Sequence, residues 1–406
     1  MNKNIKLAVA GAVLALSATA NAGIIIPAGD WTVDLGGNVN AFLANVDTET
    51  TTAAGVRTKA SAVNTIGTGL LPAAMGIGAK TRQNDIDTAI QFTFFTGTSA
   101  GAGIGGRNGG AGGGNTLNIR QAFLTFGDKS WGTFKLGRDL GIFGSDAILS
   151  DMTLLGVGTG GAPGGSSTLG RIGSGYIYAD WKGQVSYSTP NFNGFQISVG
   201  AMENFGNVSQ ARRELSYEAK ATYDFAADNF SGRVWLGGIS QKSDGLAAVA
   251  GVADAGLVQG TNAVAAGNTY TSRGVDIGFK ASAGPAGLVA YYYDGKGLDG
   301  QNVTQGLFNA NGVKSDDDGG YVQGTYALPT QTKLGVSFGR SNSKSPTQAF
   351  DFENQSYVVG AYHPLTKHLN LVAEYTAQEI KNKVAAGATV SKTENDTVSL
   401  GAILFF

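Results

Sequence analysis

From residue 31 onward the chain repeats one pattern. Segments of about 9–14 residues alternate apolar with polar side chains, and clusters of Gly, Asn, Asp and Pro separate them. Alternation with period two sends successive side chains to opposite faces of an extended strand. Sixteen strands are predicted, at residues 31–43, near 69–80, 86–97, 117–126, 132–139, 183–189, 194–202, 215–225, 231–241, 272–283, 288–294, 321–327, 332–340, 355–362, 369–378 and 393–406. Short connections, such as Gly127-Asp128-Lys129-Ser130 and Gly284-Pro285-Ala286-Gly287, tend to alternate with long ones. The layout predicts an all-β fold, a transmembrane antiparallel up-and-down β-barrel of about 16 strands with tight turns at one end and long loops at the other. Strands ~4.8 Å apart and tilted by ~40° would close a ring ~100 Å around, with a radius of ~16 Å. Side chains cannot fill so wide a lumen, so it holds water unless something plugs it.

The last strand has the sharpest pattern. Val398, Leu400, Ala402, Leu404 and Phe406 share one face, while Thr397, Ser399 and Gly401 open the other. An apolar row of this kind predicts a lipid-facing strand that closes against the first. An aromatic residue at its end is similar to the signal read by the outer-membrane barrel assembly machinery.

At the other end, Lys3 and Lys6 precede an apolar run from Leu7 to Ala18, and Ala20-Asn21-Ala22 fits a small-x-small cleavage site. Residues 1–22 are therefore expected to be a signal peptide, and 23–406 the barrel. No later stretch has the run of about 18 apolar residues that a membrane helix needs, so any crossing is made by strands. Composition agrees: charged residues make up only 15%, against ~25% in soluble domains, as suits a wall that faces lipid. Cysteine is absent, which excludes disulfides and thiolate chemistry. A net charge of −1 gives no reason to expect a nucleic-acid partner.

The longest connection without clear alternation runs over residues 139–176. Ser145 is placed to cap a short helix with Ile148, Leu149 and Met152 on one face, and a glycine-rich stretch, 156–165, follows. So apolar a loop is expected to fold into the lumen with its apolar side on the wall. Asp139, Asp146 and Asp151 would then face the water path, opposed by inward Arg120, Lys80, Arg82 and Arg171, and a field across a narrow pore would sort solutes by charge. Arg120 shares the parity of Asn118 and Ala122, opposite Leu117, Ile119 and Phe123. Strict alternation would put Arg138 outside with Phe134 and Leu136, where an arginine costs ~2–4 kcal/mol at the bilayer midplane. A bulge at Gly137, or an early start of the loop, is expected to turn it inward. Trp131, Phe134, Tyr176, Tyr178, Trp181, Tyr187 and Phe192 lie near strand ends, where an interfacial aromatic girdle belongs.

Arg120-Gln121-Ala122-Phe123-Leu124-Thr125-Phe126-Gly127, followed by Trp131-Gly132-Thr133-Phe134-Lys135-Leu136-Gly137-Arg138, resembles the fourth and fifth strands of Gram-negative general porins. The hallmark there is an arginine-alanine-aromatic strand, then glycine-threonine, then glycine-arginine at the start of the constriction loop. The resemblance covers the mature chain in layout, and residues 117–155 and 395–406 in motif. It implies a barrel in the Gram-negative outer membrane, usually a homotrimer, with an inward third loop. Small hydrophilic solutes and ions would diffuse through it passively, and lipopolysaccharide and outer-membrane lipid would surround it. Residues 145–155 depart from the acidic loop tip of enteric porins, so ion selectivity does not carry over.

Other signals are weak. Gly101-Ala102-Gly103-Ile104-Gly105-Gly106 matches G-x-G-x-x-G, but no helix follows to bind a pyrophosphate. His363 and His368 flank a turn without further ligands, so no metal or other cofactor is implied. Asp316-Asp317-Asp318 reads as a solvated loop run that could bridge lipopolysaccharide through divalent ions. The scarcity of histidine argues against a barrel enzyme. A substrate-specific channel is the main alternative, and a lumenal aromatic staircase or arginine ladder would mark it.

Overall fold

A computed structural model describes residues 23–97, 117–160, 167–204, 210–211, 214–245, 269–298, 315–344, 351–383 and 389–406. Sixteen long strands form one sheet: β1 (Trp31–Thr52), β2 (Ala73–Gln83), β3 (Ile86–Thr96), β4 (Asn118–Asp128), β5 (Gly132–Leu140), β6 (Trp181–Ser188), β7 (Phe195–Met202), β8 (Ser216–Ala227), β9 (Phe230–Gly245), β10 (Thr269–Ala283), β11 (Ala286–Lys296), β12 (Asp316–Ala327), β13 (Lys333–Lys344), β14 (Asp351–Pro364), β15 (Leu369–Lys383) and β16 (Thr389–Phe405). Each pairs antiparallel with the next, and β16 returns to β1 with Val39 opposite Leu404 and Leu43 opposite Leu400. The sheet is thus a closed barrel without a free edge, as the alternation predicted.

Every predicted strand is found in its place, and most are longer than predicted. The predicted strand at 31–43 extends to Thr52, and that at 321–327 starts at Asp316. These extensions carry Asp, Glu, Lys and Thr on both faces. Water wets both sides of the wall there, so the ladder continues after the alternation has stopped. Asp316-Asp317-Asp318 therefore belongs to β12 rather than to a loop, and Asp317 accepts the Leu298 N–H at 2.7 Å.

One start shifts the other way. The chain pairs with the upper part of β1 through the short strand Val63–Gly67, leaves the sheet over residues 68–72 and rejoins it at Ala73, not near residue 69. Asn40 holds the excursion, accepting the Gly69 N–H at 3.0 Å and donating to the Leu71 carbonyl at 2.8 Å.

The two faces are sorted in the reverse of a soluble protein. Val39, Leu43, Ile277, Val336, Val359 and Leu400 stand exposed on the outside, while Asn38, Thr93, Gln121, Ser341, Ser356 and Ser399 are buried within. Only a hydrocarbon surround makes such an exterior favourable. At the short-turn end Phe126, Trp131, Phe134 and Tyr187 cluster on the outer face with centroids 4.9–6.3 Å apart, as expected of a girdle. Tyr176 and Tyr178 are instead buried, and Trp181 packs on Phe95, because all three belong to the connection between β5 and β6 or to its root. The turn between β2 and β3 places Asn84 and Asp85 at φ 49° and 61°, the pair of left-handed residues that a tight hairpin needs to match strand twist.

Leu400→Lys puts a charge on the lipid-facing row of β16. It is expected to lower stability by about 2–4 kcal/mol in denaturant titrations of vesicle-folded protein.

Candidate pore constriction

The connection after β5 carries the chemistry. It leaves the sheet at Leu140, forms helix α1 (Ser145–Ser150) and a 3-10 turn (Met152–Leu155), and returns at Trp181. Ser145 is not the cap: Gly144, at φ 74°, occupies that position, and the Ser145 hydroxyl donates to the Ile142 carbonyl. The apolar spacing is as predicted, with Ile148 and Met152 buried and Leu149 packed beside them.

Backbone outside regular structure and out of water needs partners. Here they come from inward-facing side chains of distant strands. Glu218 on β8 accepts the N–H groups of Ile142 and Phe143 at 2.7 and 2.8 Å. Asp276 on β10 accepts that of Gly144 at 3.1 Å. Gln323 on β12 spans the Met152 N–H and the Ser150 carbonyl. Glu374 on β15 accepts the N–H groups of Val157 and Gly158 at 2.7 and 2.9 Å, and the Tyr362 hydroxyl at 2.6 Å. On the return, Ser341 accepts from Gly175, and Asn354 donates to the Gly173 carbonyl. Phe143, Ala147, Ile148, Ile172 and Tyr176 pack against Trp235, Val289, Tyr291, Tyr293 and Tyr321 from the wall. The excursion at 68–72 backs the far side, Leu70 donating to the Gly156 carbonyl at 2.9 Å.

The predicted charged residues are partly brought together. Asp146 pairs with Lys220 of β8 and with Arg233 of β9, the latter at 3.1 Å. Asp139 pairs with Lys135 and accepts from Gln121 at 2.8 Å. Asp151 accepts the Tyr176 hydroxyl at 2.8 Å and caps the 3-10 turn through Thr153. Arg171 is fully buried and donates to the Ser356 carbonyl and hydroxyl at 3.1 and 3.0 Å. The three acids were expected to face water and do not, at 1, 4 and 4% exposure for Asp139, Asp146 and Asp151. Their oxygens serve the loop's own hydrogen bonds and ion pairs.

Arg120 is inward, opposite the exposed Leu117 and Ile119 as its parity with Asn118 predicted. A bulge between Ile119 and Gln121 breaks that parity beyond it, so Ala122 lies on the outer face and Phe123 on the inner. It stacks over Phe95, 5.0 Å from the ring centroid. Lys80 and Arg82 lie beside the short turn after β2, away from the loop, and Arg82 pairs with Asp87 and Asp128, each at 2.8 Å. Arg138 is exposed on the outer face; the register through Gly137 is unbroken, so neither a bulge nor the loop turns it inward. Lys135, Lys182, Lys220, Arg233, Lys280 and the three anchoring carboxylates were missed. The signal was present: Glu218 and Lys220 alternate with Tyr217, Ala219 and Ala221.

Burial alone would raise the Asp146 carboxyl, but the charges of Lys220 and Arg233 outweigh it and hold it well below the ordinary range. A carboxyl depressed in the folded state stabilises fully above its unfolded value of about 4, and loses that contribution only as pH falls further, through the folded value.

A closed ring of sixteen tilted strands, polar within and apolar without, defines a wide membrane channel. The family model for Gram-negative porins matches residues 7–383, and the chain belongs to that family. It is an outer-membrane channel for passive diffusion, and this family and fold are those of a channel rather than of an enzyme. No curated protein matches the sequence. Among solved structures it is similar to the outer membrane channel DcaP of Acinetobacter baumannii, with 18% identity over 95% of this chain and 100% of that one, TM-score 0.62. It is also similar to an anion-selective porin from Comamonas acidovorans, with 16% identity over 93% and 100%, TM-score 0.58. The trimer form of OmpT, an outer membrane protein of Vibrio cholerae, matches with 15% identity over 93% and 99%, TM-score 0.56.

Glu374→Ala leaves two loop N–H groups and a tyrosine hydroxyl without their acceptor. Hydrogen bonds to a charged group are worth about 1.5–3 kcal/mol each, so a lower melting temperature and noisier open-channel current are expected in single-channel recordings.

Proposed function

We propose that the chain, exported and cleaved after Ala22, works as a homotrimer of water-filled pores. The loop between β5 and β6 folds into each lumen and narrows it, and small hydrophilic solutes pass with a preference for anions. One observation carries the charge preference: at Asp146 and Asp139 the acid is covered while the cations paired with it keep exposed surface, although Lys182 is buried with its partner Glu218. The side chains of Lys220, Arg233 and Lys135 are 17, 26 and 26% exposed, against 4% or less for the acids they neutralise at the loop. Each such pair is a dipole with its positive end toward the water, where it acts on a passing ion. Arg120, Asp139, Asp146, Asp151 and Arg171 shape and hold the loop.

A general pore is favoured over a substrate-specific one. The lumenal aromatics Trp235, Tyr291, Tyr293 and Tyr321 could form a staircase for sugar rings, but they are at most 5% exposed because the loop covers them. Among the described residues, the loop's acids are engaged in ion pairs and backbone hydrogen bonds. The outward row from Val398 to Phe406 supports its reading as the assembly signal. An outer groove of about 860 Å³, floored by Ala201, Ala219 and Gly238 and bordered by Arg273 and Lys296, suits the acyl chains and anionic headgroup of lipopolysaccharide.

Planar-bilayer recordings in a salt gradient test this. Wild-type reversal potentials should lie on the anion side, Lys220→Ala with Lys135→Ala should move them toward cations by tens of millivolts on the order of RT/F, and Asp146→Asn should move them the other way. A cation-preferring wild type, or no conductance, overturns the reading.

A further inference from the structure

The strand line beside β1 is interrupted in the middle of the wall. Residues 63–67 pair with the stretch from Phe42 to Val46 of β1, and Ala74 pairs with Asn38, so the chain between them passes three residues of β1 without joining its ladder. Residues 63–67 are exposed or half-buried, whereas Thr68 to Ala73 are buried without a break. Backbone that leaves a ladder needs other partners, and interruptions of this kind sit where the chain must be re-aimed. Pro72, which has no N–H to leave unpaired, ends the segment. Asn40 clamps it at two points, its Nδ2 donating to the Leu71 carbonyl at 2.8 Å and its Oδ1 accepting the Gly69 N–H at 3.0 Å. A further bond from Nδ2 to Asn38 Oδ1 at 2.8 Å fixes which way the amide points.

What the segment touches is the connection between β5 and β6. The Leu70 N–H donates to the Gly156 carbonyl at 2.9 Å, and the Thr168 N–H donates to the Gly69 carbonyl at 3.1 Å, so one short segment grips both limbs of that connection. The Leu70 side chain shares a buried cluster with Phe143, Ile148 and Ile172, and Leu71 packs with Phe95 and Phe405 beside Leu155. The fit allows no side chain at Gly69, where a Cβ would stand 2.0 Å from the Gly156 oxygen. Glu218, Asp276, Gln323 and Glu374 hold the connection from β8 to β15, and the segment adds a hold from beyond the closing seam. We infer that residues 68–72 are a latch that fixes where the connection lies across the pore, and so the pore's width, with Asn40 as the positioning residue. The inference rests on the reading that this connection narrows the lumen. A span anchored along one arc of the ring can swing about those anchors, whereas one anchored on both sides of the seam cannot.

Asn40→Ala breaks the clamp, and Leu70→Ala removes the side chain that packs on the connection while leaving the clamp in place. In planar bilayers each is compared with wild type for open-channel noise and for the largest polyethylene glycol that still enters the pore. The temperature at which the folded barrel loses its gel mobility reads the wall separately. Losing both clamp bonds should raise the population of the released connection about tenfold or more. Both variants should therefore be noisier and admit larger polymers, and the double variant should exceed the stronger single one little, because a latch has one release. Leu70→Ala lies outside the ladder and keeps the test open should Asn40→Ala fail to fold. Noise and cut-off at wild-type values, fully additive effects, or a less heat-resistant barrel with unchanged current overturn the latch. Glu374→Ala, which frees the connection from β15, tells this failure from that of the reading beneath it. If Glu374→Ala changes noise and cut-off and the latch variants do not, the latch alone falls; if none of the three changes the current, the narrowing of the lumen by this connection falls with it.

Discussion

Hydrocarbon offers the backbone no hydrogen-bond partner, and the rest of this structure follows from that constraint. Every N–H and C=O of a strand in lipid must be satisfied by another strand, so the sheet cannot end. β16 therefore pairs with β1 along most of its length. With sixteen strands the closed ring is wider than its side chains can fill. Closure thus creates a second problem, an interior that is wet and unsupported.

The loop between β5 and β6 answers it with the same rule. A buried peptide segment without a ladder of its own also needs partners, and the wall supplies them as carboxylates and amides. Glu218, Asp276 and Glu374 together accept five loop N–H groups from three different strands. Tyrosines of the wall close over the loop's apolar side. Spending the carboxylates on the backbone removes them from the water path, and the lysines and arginine that neutralise the remaining acids keep their exposed surface.

Arg138 shows the same logic on the outside. The wall is sorted by parity alone, so a charged residue at an outward position stays outward unless the ladder slips. At Arg120 the ladder does slip, through a bulge, and beyond it Ala122 turns out and Phe123 turns in. At Arg138 it does not, although Gly137 beside it, at φ 121°, marks the strained point where a bulge could have formed. Around Arg120 the outward apolar positions change phase, from Leu117 and Ile119 to Ala122, Leu124 and Phe126, which is the trace that the bulge leaves in the sequence, whereas around Arg138 the phase does not change.

The sequence by itself determined the number and order of the strands, the face that most of their side chains take and the closure of the ring. Period two is a local property, and each strand of the barrel displays it independently. The partners that hold the connection between β5 and β6 were decided only by the tertiary structure. Glu374 reaches Val157 across 217 positions of sequence, and which acid is spent on backbone rather than left to water depends on which strand the ring brings opposite the loop. Such pairings have no period, so no local pattern records them.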